Sequence, residues 1–151
     1  MAHRLELDVS YAALQPWVPS RRQLTVWTAA SLAPLRRSVV LSVRVVGKAR
    51  SRSLNARYRN RDKATNVLSF GGAGRVPDGR HFIGELVICS PVVAQEALAQ
   101  GKSLTAHWAH MTVHGVLHLL GFDHERAADA VKMAAKEVQI LDRLGFSDPY
   151  R

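Results

Sequence analysis

Residues 114–124 read His-Gly-Val-Leu-His-Leu-Leu-Gly-Phe-Asp-His. Few chain paths satisfy such a run. His114 and His118 are four apart, so on a helix their side chains share one face. Gly121 can end that helix in a left-handed cap and turn the chain back. His124 then returns toward the same point. The run predicts a metal site made by His114, His118 and His124 on a late helix, with one ion per chain. Three neutral imidazoles leave the fourth position of a tetrahedral ion open, as in catalytic rather than structural zinc sites. His110 stands four residues before His114, but at about 1.5 Å per residue it lies roughly 12 Å along the axis from His118. Bonds of about 2.0–2.1 Å cannot bring both to one ion at tetrahedral angles. His110 is therefore expected in the core or behind a ligand, and His107 at the surface or against RNA. Zinc suits an all-nitrogen site, although nickel and copper accept the same donors.

The chain has 151 residues, 47% hydrophobic and 22% charged. That is enough for a single domain over residues 1–151 with its own core. No apolar run approaches the roughly 20 residues of a membrane span, and Met1–Ser10 has no apolar signal-like core. Cys89 is the only cysteine, which excludes an internal disulfide and a thiolate zinc site. It is expected as a small buried hydrophobe. A cytoplasmic location without a membrane partner is the default. The net charge of +9 favours a polyanionic partner, nucleic acid foremost. From Arg44 to Lys63 eight cations accompany one acid, Asp62. Within that run Arg50, Arg52, Arg57, Arg59, Arg61 and Lys63 are the candidate RNA contacts. Charge alone sets no oligomeric state.

Strands are expected at Leu5–Val9, Ser38–Val46, Thr65–Phe70 and Phe82–Cys89, where apolar or β-branched residues alternate or cluster. Ser20 can cap a helix that runs to about Ala33, before Pro34. Lys48–Asn60 reads as a short basic helix, and Gly71–Gly79 as a turn-rich loop. Ser90-Pro91 opens a helix that ends at Gly101. Another starts near Ser103 and carries the histidines, and a last one spans about Glu125 to Leu144. Strands early and helices late imply an α+β fold: a small mixed β-sheet packed with helices.

The triad spacing matches that of the metzincin peptidases, His-Glu-x-x-His-x-x-Gly-x-x-His, and so suggests a zincin-like metallohydrolase arrangement. The peptidase glutamate would stand at position 115. Gly115 cannot accept a proton, so the metal is expected without the peptide chemistry. Residues 114–124 resemble throughout the signature of the YbeY endoribonucleases, His-Gly-x-Leu-His-Leu-x-Gly-[Tyr/Phe]-Asp-His. Leu54-Asn55, Tyr58-Arg59, Asp62-Lys63 and Thr65-Asn66-Val67-Leu68-Ser69-Phe70 resemble a second block of that family. Ile83–Ile88, Leu144-Gly145 and Asp148-Pro149-Tyr150 resemble others, in the same order. This chain departs at Gly71, where the family usually has proline, and at Glu85, where it usually has aspartate.

The resemblance implies a zinc-dependent, single-strand-specific endoribonuclease. It would act in ribosomal RNA maturation at the 16S 3′ end and in ribosome quality control, with ribosomal RNA and the ribosomal subunit as partners. It also places a functional arginine at Arg59, whose planar fork of donors suits phosphate oxygens. His114 and Arg59 are the expected catalytic residues. Glu85 and Asp123 are candidates to carry protons or to orient a ligating imidazole, since such rings usually donate their other N–H to a carboxylate or carbonyl. Asp123 could equally cap the last helix. Two other readings stand beside this one: a zinc hydrolase with a non-RNA substrate, and a non-enzymatic ribosome-associated zinc protein.

Overall fold

The computed structural model describes residues 4–35, 37–75 and 79–151. The first three residues, part of the stretch read for a signal, and residues 76–78 of the expected loop lie outside it. In chain order the elements are β1 (Leu5–Tyr11), α1 (Arg21–Leu32), β2 (Val39–Val46), α2 (Lys48–Arg59), β3 (Val67–Arg75), β4 (His81–Cys89), α3 (Ser90–Gln100), α4 (Leu104–Leu119) and α5 (Ala127–Arg143). The four strands form one sheet in the order β1-β2-β4-β3. β1 runs parallel to β2, with Val9 opposite Val43, and β2 parallel to β4, with Val43 opposite Leu86. β3 lies antiparallel to β4 on the edge, with Phe70 opposite Glu85. The expected α+β class with a small mixed sheet is what is found.

Side chains alternate across a strand, and here the alternation splits the core. Val43, Val45, Val67, Leu86 and Ile88 pack with Leu24, Trp27, Trp108, Val113 and Val116 on one face. Val46, Leu68, Val87 and Cys89 pack with Leu54 of α2 on the other. α4 lies against β3 and β4, with α1, α3 and α5 around it. Ten of its sixteen residues are buried, because a helix surrounded by other elements must be apolar nearly all round. That setting explains one correction. His107 is neither at the surface nor free for RNA; it is 2% exposed and bonded through Nε2 to Glu96 at 2.9 Å. Cys89 is buried, as expected, and burial pushes its thiol pKa up.

Local rules account for most element ends. Ser20 caps α1 and exchanges bonds with Gln23 in a capping box. Several boundaries differ from expectation; β1 runs on to Tyr11 and β3 starts at Val67 rather than Thr65. β3 continues past Phe70 through a glycine pair to Arg75, because turn-forming residues can still make ladder bonds beside a partner strand. Gly84 allows this on β4. Its φ is 143°, and a Cβ there would stand 2.3 Å from the Phe70 carbonyl oxygen. The last helix begins at Ala127 rather than Glu125. Among the described residues no helix is long and apolar enough to cross a membrane.

Candidate metal centre

α4 ends as its sequence demands. Gly121, at φ 97°, donates its N–H to the His118 carbonyl at 3.0 Å, and Phe122 donates to Leu117 at 3.0 Å. This pair of bonds is the Schellman motif, which needs a left-handed residue where glycine stands. The reversal brings His124 back over the last turn of α4. Asp123 fixes the returning segment: its Oδ1 accepts from the backbone N–H of His124 at 2.6 Å and of Glu125 at 3.0 Å. Those bonds, that to Glu125 foremost, hold its carboxyl pKa below the usual range. Asp123 thus caps the turn that carries a ligand.

One nitrogen from each of His114, His118 and His124 lies within 4.8 Å of the others. Ring centroids are 4.7 Å apart for His114–His118, 4.9 Å for His118–His124 and 5.6 Å for His114–His124. The donor set fits a divalent ion that prefers nitrogen. Burial, then the neighbouring imidazoles His114 and His124, lowers the pKa of His118. The neutral form that a metal requires is thereby favoured.

The carboxylate behind the ligands is one that the sequence reading missed. Glu137 of α5 is 1% exposed. Its Oε2 faces His114 Nδ1 at 3.1 Å and His110 Nε2 at 2.7 Å, and its Oε1 accepts from the Tyr150 hydroxyl at 2.7 Å. An ionised carboxylate only accepts, so both imidazole nitrogens facing it carry protons. His114 therefore donates through Nδ1, which leaves Nε2 for an ion. Burial pushes the Glu137 pKa up, but the bonds from His110, His114 and Tyr150 outweigh it and bring the value to about 2. Tyr150 is pushed the other way by burial and by the adjacent carboxylate. One signal for Glu137 was present. It interrupts the buried stripe Met133, Ile140, Leu141 at helical spacing, where a lone acid needs a partner.

The triad opens on a cleft of about 710 Å³, lined also by Tyr58, Arg59, Phe70 and Asp123. Arg59 and the three histidines are thus brought together. Tyr58 is 58% exposed, and its ring meets Phe70 edge-on at 5.3 Å. The other candidates are dispersed. Arg50, Arg52, Arg57, Arg61 and Lys63 are exposed but do not line this cleft. At about 100° per residue, α2 turns Arg52 and Arg59 to one side and Arg50 and Arg57 to the other. Arg52 is held by Asp62 at 2.7 Å, and Arg57 lies over the Tyr58 ring at 5.5 Å. Glu85 shares its strand face with Val87 and Cys89, toward α2 rather than α4, and bonds Arg44 at 2.7 Å. Parity along β4 places it away from the imidazoles.

Fold and site together define an α+β protein with a three-histidine cluster, placed to hold a metal ion, beside an arginine. The chain matches the family described as Endoribonuclease YbeY over residues 19–145. It is 49% identical over 153 aligned positions to proteins named Endoribonuclease YbeY from Xanthomonas campestris pv. campestris, strains B100 and 8004, covering 97% of this chain and 94% of each relative. The solution structure of TM1509 from Thermotoga maritima superposes with a TM-score of 0.63 at 20% identity, over 92% of this chain and 89% of that one. The chain belongs to the endoribonuclease YbeY family.

Proposed function

We propose that this protein is a single-domain, zinc-dependent endoribonuclease that cuts single-stranded RNA. Its substrate would be ribosomal RNA, at the 16S 3′ end, in association with the ribosomal subunit and in ribosome quality control in the cytoplasm. The observation that carries the reading is the juxtaposition of His114, His118 and His124 with Arg59 in one cleft. Zinc there would supply Lewis acidity toward a phosphoryl oxygen and a water acidified to near neutral pH. The chain's own groups do the rest. Arg59 holds the phosphate through two parallel N–H bonds. Tyr58 and Phe70 form an aromatic wall on which an unpaired base stacks, a contact closed to a paired one. Glu137 fixes the His114 ring. A net charge of +9 suits a polyanion.

Gly115 opposes the peptidase reading. A Cβ there would stand 2.9 Å from Leu86 Cδ2 and 3.1 Å from Val67 Cγ2. Position 115 thus faces the sheet and offers no place for a base in the cleft. The cleft itself opposes a purely structural ion, which would need its fourth position closed.

Zinc analysis beside RNA cleavage tests the proposal. The purified protein should carry about one zinc, cut single strands and spare duplexes. Chelation should abolish cutting, and a 2′,3′-cyclic phosphate product would identify the ribose hydroxyl as nucleophile. A metal-loaded protein that cuts no RNA, or a zinc-free one that cuts at full rate, overturns it. Arg59→Lys keeps the charge and loses the fork. Its cleavage rate should fall about 10–100-fold, the order of one or two charge-assisted bonds, with zinc content unchanged. Cleavage at the wild-type rate would remove the fork from the mechanism.

A further inference from the structure

A second cavity, of about 530 Å³, lies beside the metal cleft. It falls within the roughly 300–1,000 Å³ typical of ligand pockets. Phe82 of β4 and Phe122, just past α4, supply half-buried aromatic surface. Arg37, after α1, and Lys136, on α5, stand in its lining, and among the described residues that lining contains no carboxylate. Aromatic walls with cations and no acids are the composition that single-stranded nucleic acid selects. The two cavities adjoin: Gly71 and Leu119 line both. A Cβ at Gly71 would meet nothing within 4 Å, so no side chain from this position bars the passage. The charge here is independent of the basic run on α2, which lies across the sheet.

We propose that this cavity is a second nucleotide subsite. A single RNA strand would run from the metal cleft over Gly71, stack a base against Phe82 and Phe122, and place the adjoining phosphates on Arg37 and Lys136. The proposal rests on the endoribonuclease reading and extends it from one cleft to a track of several nucleotides. It also implies that substrates too short to reach the cavity bind more weakly.

The test compares a single-stranded decanucleotide with a dinucleotide, using the zinc-loaded full chain. The double variant Arg37→Ala, Lys136→Ala should weaken decanucleotide binding at least tenfold. It should also flatten the dependence of log affinity on log salt by about 1.4, since each lost single-strand phosphate contact contributes about 0.7. The loss in dinucleotide hydrolysis should be at least tenfold smaller than that on the decanucleotide. Gly71→Leu, which needs no left-handed backbone and fills the passage, should also weaken decanucleotide binding. A 2-aminopurine base placed downstream of the cut should be quenched on binding and released from quenching by Phe82→Ala.

Unchanged decanucleotide binding in the double variant overturns the subsite, as does an equal loss on both RNAs. Wild-type protein that neither binds nor cuts either RNA overturns the endoribonuclease reading itself, and the subsite with it. These outcomes are distinct.

Discussion

On the proposed function, His114→Ala protein should retain its fold, fail to hold zinc and lose RNA cleavage. His114 is the one ligand that is tied both to the other two imidazoles and to Glu137. Removing it takes away a donor and the ring that the buried carboxylate positions. Zinc affinity should fall by more than the roughly 10–100-fold associated with loss of an outer partner, and cleavage by at least about 10³-fold. The fold should survive because the His114 side chain is 22% exposed and Glu137 keeps its bonds from His110 and Tyr150. The expected stability cost of the metal-free variant is about 1–3 kcal/mol, that of one lost buried bond. His118→Ala is the control, since it removes a ligand without touching Glu137. It should lose zinc with little change in metal-free stability. Zinc content by mass spectrometry, urea midpoints and RNA cleavage read the three effects. A zinc-free His114→Ala protein that still cleaves fully would sink the mechanism.

Glu137→Gln should hold zinc about 10–100-fold more weakly than wild type while keeping all three ligands. The amide is the same size but neutral. Its NH2 group cannot accept the proton that His114, His110 or Tyr150 offers, so a buried donor is left unpaired at roughly 1–3 kcal/mol. The pH dependence follows from the depressed carboxyl. Folded Glu137 titrates at about 2, below the roughly 4.3 of an unfolded glutamate. Its contribution to stability is therefore complete above about pH 4.5 and is lost as pH falls through about 2. Metal-free wild type should lose stability over that window more steeply than Glu137→Gln. Parallel acid unfolding curves for the two proteins would contradict the assignment.

The convergence of the three histidines was legible because it is local. Spacing of four residues, one glycine and a return place His114, His118 and His124 without knowledge of anything else in the chain. Glu137 was not legible by that route. It approaches from another helix, and on paper it looks like one more charge on an amphipathic surface. Only the apolar stripe around it marks it as buried. Tyr150 belongs to the Asp148-Pro149-Tyr150 pattern of the sequence, yet its bond to Glu137 depends on how the final segment packs. The basic run is spread out by the fold. Its cations are continuous in sequence, but α2 distributes them around its axis and Asp62 takes up Arg52, so only Arg59 reaches the cleft. β4 teaches a similar lesson: Glu85 stands one residue from Leu86, and that single step puts it on the opposite side of the sheet. The strands themselves were found from their β-branched content, whereas the extension of β3 needed its partner.

The Schellman turn at Gly121 has a consequence for the order in which the centre matures. All three donors fall within residues 114–124, so closing them around an ion takes one helix end and one short loop, with little loop-closure entropy to overcome. A chain with α4 formed and α5 undocked could already hold an ion, loosely. The grip tightens only when α5 seats and Glu137 locks His114. Metal retention is then a gauge of how completely the molecule has assembled, and partly folded copies would give up their ion to a chelator first.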